Sequence, residues 1–137
     1  MPVDEGGLQI LDEDACLRLL AQHSSHLGRV AFITDEGLPI VLPVNYRLHK
    51  GDVVFRSGVG TKLDAAATGT PVAFQVDQVD PIWREGWSVV VQGEVREITD
   101  ADELEEVRAL PLRAWAPGER DRYLRISAHR VSGREIV

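Results

Sequence analysis

The sequence predicts a mainly β fold: a small, closed or partly closed β-barrel of six strands with peripheral helices covering its ends. Three observations carry that prediction. Six short β-rich segments follow one another closely, most of them joined by hairpin-like turns. Only three stretches have helical character, which suits a doubly wound parallel sheet poorly. No repeat, low-complexity run or linker interrupts the 137 residues, so 1–137 reads as one domain. With 44% hydrophobic and 27% charged residues, a chain of this size can build a core without disulfides.

Taken in order, residues 1–10 lack periodicity and read as a loose N-terminal tail. Asp12 is placed to cap a helix whose first turn carries Glu13 and Asp14, where the helix dipole favours acids. Leu11 and Cys16 hold the positions of a hydrophobic staple. Cys16, Leu17, Leu20, Ala21 and Leu27 recur at helical spacing, giving an amphipathic helix over 13–26 that Gly28 ends. The period then changes. Arg29–Thr34 is a strand and Asp35-Glu36-Gly37 a turn. In the next strand, 38–48, the side chains Leu38, Ile40, Leu42, Val44, Tyr46 and Leu48 share one face. Pro43 cannot donate to a ladder and so assigns this strand an edge position or a bulge. Lys50-Gly51-Asp52 turns the chain into a third strand, Val53–Ser57. Gly58-Val59-Gly60 breaks that strand, Thr61–Thr68 forms a short helix, and Gly69-Thr70-Pro71 stops it. Val72–Asp77 is the fourth strand, and a loop with Pro81 leads to the fifth, Trp87–Ile98. Thr99 or Asp100 caps an acidic helix that runs to Leu110. Pro111–Gly118 is irregular, and Tyr123–Val131 is the sixth strand, finished by Ser132-Gly133-Arg134.

Charge and cysteine usage narrow the function. With 22 acidic against 15 basic residues the net charge is −7, a field that repels phosphate backbones and argues against general nucleic-acid binding. No apolar run approaches the roughly 20 residues of a membrane helix. The acidic N-terminus lacks a basic segment followed by an apolar one, so it is not a signal peptide. Cys16, alone, can form neither an internal disulfide nor a thiolate zinc site. These features describe a cytoplasmic protein with no membrane or nucleic-acid partner. An anionic ligand on such a body requires a local cationic pocket.

The segment Arg56-Ser57-Gly58-Val59-Gly60-Thr61-Lys62 offers one. A strand delivers Arg56 and Ser57, glycines allow a tight turn, and a helix begins near Thr61. Helix-start N–H groups, hydroxyls and two cations together make an anion site. A Thr N-cap after a flexible turn, with a solvated lysine, accounts for the same residues in purely structural terms. The Walker A pattern is absent. A second segment is Leu42-Pro43-Val44-Asn45-Tyr46. Its Asn45 amide, opposite the apolar face, is able to pair with a planar heterocycle while Val44 and Tyr46 supply flat packing. Equally, Asn45 satisfies a strand edge beside Pro43. In a third segment, Trp87 and Ser88 open a strand after a loop, where a side chain can meet a ligand. Gln92 there shares the Ser88 face, opposite Trp87. The plain alternative is Trp87 as a core anchor and Ser88 as a solvated strand end. His23, His26, His49 and His129 show no spacing with a supporting carboxylate that compels a metal site. The acidic run Asp100–Glu106 is a solvated helix face.

In order, GRVAFIT, LPIVLPVNYRL, DVVFRSGVGTKLDAA, TPVAFQVD, WSVVVQGEVREI and RISAHRVSGREI resemble the pyridoxamine 5′-phosphate oxidase-like family of FMN-binding split barrels, over roughly residues 10–136. The most specific part is FRSGVGTKLDAA followed by SVVVQGEV. The resemblance implies a six-stranded split barrel and a homodimer with two FMN sites at its interface. By position, Arg56, Ser57, Thr61 and Lys62 match the stretch that holds the FMN phosphate and ribityl chain. Pro43, Val44, Asn45 and Tyr46 match the strand lying along the isoalloxazine ring. Trp87 and Ser88 match the strand start that completes the site, from the partner subunit. One departure matters: Arg125-Ile126-Ser127-Ala128-His129-Arg130 lacks the R-x-H spacing with which true pyridoxamine phosphate oxidases read their substrate. The resemblance therefore implies the fold and the flavin, not vitamin B6 oxidation.

The expected function is that of an FMN-dependent oxidoreductase in which the flavin transfers hydride or electrons from a reduced nicotinamide or other donor to a small molecule. The substrate is expected on the exposed ring face, near Trp83, Arg84, Trp87 or Trp115. A deazaflavin (F420) reductase of the same fold is a second expectation. F420 carries a long anionic tail that asks for an extra basic groove, and this acidic chain offers no obvious one. The third is a non-catalytic flavin- or haem-binding module.

Overall fold

The computed structural model describes residues 2–58, 61–112 and 122–136. Within them the chain runs β1 (Gln9–Leu11), α1 (Glu13–Gln22), β2 (Leu27–Ile33), β3 (Pro39–His49), β4 (Asp52–Ser57), α2 (Lys62–Ala66), β5 (Thr68–Asp80), β6 (Glu85–Glu97), α3 (Ala101–Arg108) and β7 (Arg122–Ile136). All strand pairs are antiparallel, in the order β1-β7-β4-β3-β2-β5-β6, and β6 pairs back onto β7. Six strands therefore close into a ring, as the sequence predicts, and β1 is added outside it. Closure removes the exposed edges that an open sheet of this size leaves unpaired.

Alternation fills the interior. Val44 and Tyr46 of β3, Val53 and Phe55 of β4, Phe74 and Val76 of β5, and Val89 and Val91 of β6 are buried in one apolar cluster. Cys16 and Leu20 of α1 plug one end of it. A second cluster, Val54, Ile98, Val107, Leu112 and Tyr123, packs α3 against the outside of the barrel. An ion pair from Arg125 to Glu103 pins that helix further.

Several expected boundaries move. The loose tail expected over residues 1–10 is instead tied down from Asp4 onward. Asp4 Oδ1 accepts from the Gly6 and Leu8 amides at 2.9 Å each, its other oxygen meets Arg134, and Gln9–Leu11 pair with Gly133–Glu135. Its strand is too short for periodicity to reveal. The helix expected over 13–26 stops at Gln22, with His23 in extended conformation. The Ser-rich turn that follows offers local hydrogen bonds in place of helical ones, such as Ser25 Oγ to His23 Nδ1 at 3.2 Å. Gly28 is thus not a helix stop but part of β2. A Cβ there would lie 2.4 Å from Cζ of Phe74, so the glycine makes room for that ring. Gly69-Thr70-Pro71 likewise begins β5, at a register shift beside Thr68, rather than ending a helix. β7 continues through Ser132-Gly133-Arg134 to Ile136 because β6 and β1 pair it on both sides there. Pro43 behaves as expected. Among the described residues, β4 pairs with β3 only over Tyr46–His49, so Pro43 sits in a half-strand bound to β2 alone.

Candidate functional site

The β4–α2 corner is built from hydroxyls. Ser57 is 6% exposed at the end of β4, and its Oγ lies 2.9 Å from Thr61 Oγ1. Thr61 caps α2, accepting from the Asp64 amide at 3.1 Å while donating to the Gly58 carbonyl at 3.0 Å. The cap is the arrangement a Thr before a short helix is expected to give. Lys62, the first residue of α2, lines a hollow of about 190 Å³ with Phe32–Glu36 of the β2–β3 hairpin and with Ala65, Ala66, Thr68 and Thr70.

The two cations expected in one pocket face different surroundings. Arg56 projects from the other face of β4, where its guanidinium lies 5.5 Å from the Tyr123 ring and donates to the Leu112 carbonyl at 3.4 Å. It does not line the Lys62 hollow, in which Asp35 and Glu36 oppose the lysine charge. Thr34, Thr68 and Thr70 of that hollow are polar groups the sequence reading missed. Thr68 and Thr70 follow α2 directly, whereas Thr34 is brought to Lys62 by the β2–β5 pairing, which no local pattern announces. Val59 and Gly60 lie outside the described residues, as does Trp115.

On β3, Val44 and Tyr46 point into the barrel and Pro43 and Asn45 are half-buried on the opposite face. Tyr46 is fully buried and its hydroxyl donates to the Leu20 carbonyl at 2.7 Å. Burial drives its pKa upward, so it stays a neutral phenol. Pairing between β3 and β4 ends at Tyr46↔Phe55, so the Pro43–Asn45 stretch and the β4–α2 corner lie beyond the last paired residues of two neighbouring strands. Of the expected residues, Ser57 and Thr61 meet at the corner, Lys62 lines the hollow beside α2, and Pro43 and Asn45 stand on the neighbouring β3.

Trp87 and Ser88 stand elsewhere in the same chain. Sheet order places β2 and β5 between β3 and β6 on one side of the ring and β4 and β7 on the other, so the two strands stand on opposite sides of the barrel. Trp87 lies at the rim of the barrel core and lines a second hollow with Gln78, Asp80, Glu85, Gly86, Glu135 and Ile136. Its indole meets the His23 ring edge to face, 5.6 Å between centroids. Trp83 and Ile82, at the tip of the β5–β6 hairpin, are 72% and 83% exposed, and Arg84 beside them adopts a positive φ of 53°. No helix among the described residues is long and apolar enough to cross a membrane.

A family model described as pyridoxamine 5′-phosphate oxidase matches residues 12–135. Protein Rv0080 of Mycobacterium tuberculosis is 36% identical over 132 residues, which cover 93% of this chain and 84% of that protein. Among solved structures, the FAD binding protein from Mycobacterium smegmatis superposes with a TM-score of 0.80 at 31% identity, over 94% of this chain and all of that one. A FAD-binding protein from Mesorhizobium loti gives 0.76 at 27% identity, over 95% and 99% of the two chains.

Proposed function

The chain belongs to the pyridoxamine 5′-phosphate oxidase family, and on that premise we propose that it is a flavoprotein acting as a homodimeric oxidoreductase. The observation that carries this reading is the Ser57–Thr61–Lys62 corner beside the end of the β3–β4 ladder. It combines a strand edge for a planar ring with hydroxyls and a lysine for a phosphate. The phosphate goes to Ser57, Thr61 and Lys62; the isoalloxazine lies along Pro43, Val44, Asn45 and Tyr46, chiefly against the backbone and the outward side chains. Arg56 contributes from the far side of β4 by holding Tyr123 and Leu112 in place. Bound there, the flavin supplies the redox chemistry; the chain's own residues bind and orient it.

A second copy completes the site. Trp87 and Ser88 stand on the opposite side of the barrel from β3, so a ring seated on the outer face of β3 meets them from a partner chain. Exposed Ile33, Leu38 and Val41 on the β2–β3 hairpin supply apolar surface for that contact. FMN is the ligand expected from sequence. The FAD named for two similar structures favours the larger flavin as a second reading. FAD contains the FMN moiety, so the same corner serves both. Reducing-compartment residence agrees with the single, buried Cys16.

Lys62→Ala tests the phosphate assignment. Removing one charge-assisted contact costs about 1.5–3 kcal/mol, or roughly 10- to 150-fold in flavin affinity. Flavin affinity equal to that of the unaltered chain would contradict the assignment. Consumption of reduced nicotinamide with an electron acceptor would distinguish the oxidoreductase from a binding module.

A further inference from the structure

We propose that His23 is a positioning residue for Trp87, holding the indole at a fixed angle on the rim where the flavin ring is received. The inference rests on the flavin reading above and deepens it. His23 follows the last residue of α1 and is 9% exposed. Two contacts fix its ring. Nδ1 lies 3.2 Å from Ser25 Oγ, and the ring meets the indole at 84° between planes. An edge-to-face pair has a preferred geometry that a Leu or Val in the same space would not impose. The indole also lines the hollow formed with Gln78, Gly86 and Ile136. Its ring contact with the proposed flavin-facing residues is the one to Trp87.

The partly desolvated setting favours a neutral imidazole. Burial lowers the pKa of His23, the neighbouring His26 lowers it further, and Asp77 on β5 opposes both. Asp77 is itself engaged by Gln75 at 2.9 Å and by Arg29 at 3.7 Å. Asp80 and Glu85 on the β5–β6 hairpin and Glu135 on β7 face Trp87 from its hollow side. A flavin covering Trp87 removes more water from His23, which lowers its pKa again. Flavin binding and protonation of His23 therefore oppose one another, and affinity falls as pH falls through the His23 titration.

The test follows two signals of the full chain between about pH 7.5 and pH 5, the range of histidine titration. The first is the NMR resonance of the Trp87 indole N–H, assigned by its loss in Trp87→Phe. The second is FMN affinity, compared with that of His23→Gln and His23→Phe. The phosphate of FMN titrates in the same range, so the informative quantity is the difference between the proteins. The indole resonance should move with the His23 titration, with a midpoint below the ordinary histidine value. The unaltered chain should lose about tenfold more affinity than the variants for each unit by which binding lowers the His23 pKa. FMN binding at neutral pH with identical pH dependence in all three proteins would overturn the positioning role alone. Absence of FMN binding by the unaltered chain at neutral pH would overturn the flavin reading and this role with it.

Discussion

Leu20 lies two residues before the end of α1, so its carbonyl has no helical amide left to accept from. Tyr46 supplies the donor from across the barrel, and His26 Nε2 lies 3.3 Å from the next such carbonyl, Ala21. Tyr46→Phe should therefore destabilise the fold by about 1–2 kcal/mol, since a fully buried acceptor loses its partner while the ring volume stays. Chemical denaturation measures this directly, and an unchanged midpoint would mean that water replaces the phenol. The same residue marks a limit of sequence reading. Alternation assigns Tyr46 and Val44 correctly to one face of β3, yet it does not say whether a core or a ligand covers that face. The burial of both shows that it is the core, leaving Pro43 and Asn45 as the outward pair. The corner hydroxyls were legible because Ser57, Thr61 and the cap of α2 are local in sequence. The opposing Asp35 and Glu36 were not, because only β-sheet pairing brings them to Lys62.

Among the elements, β6 and β7 do most to close the barrel, and their ladder shifts register between Gln92 and Gly93. At that shift the backbones come so close that a Cβ on Gly93 would lie 1.7 Å from the Ser127 carbonyl oxygen. No rotamer relieves a clash between a Cβ and a backbone atom. Gly93→Ala should cost at least about 3 kcal/mol, beyond the usual range for a tolerated core insertion. Thermal unfolding would show it, and a melting temperature within a degree or two of the unaltered chain's would contradict the tight approach. The strand interiors were readable from periodicity, but their ends were not. β5 and β7 run past Gly69, Pro71 and Gly133, residues that read as stops, because partner strands continue to satisfy their backbones. The end of α1 was missed for the opposite reason: Leu27 keeps the helical spacing but belongs to β2.

At the scale of the molecule, a ring of six strands places a strand edge beside a hydroxyl-rich corner on one side and a Trp-lined hollow on the other. On the homodimer reading, two copies bring the two onto a single planar ligand. That is the physical reason a homodimer belongs to the account. The barrel itself was legible because strand count and hairpin spacing are properties of the sequence; the assembly is a property of its surface. The most direct measurement is the dissociation constant of the full chain for FMN, with FAD in parallel, followed by quenching of flavin fluorescence. Binding at about 1 µM or tighter, near −8 kcal/mol, with one flavin per chain is the predicted result. Failure to bind either flavin at millimolar concentration would contradict it.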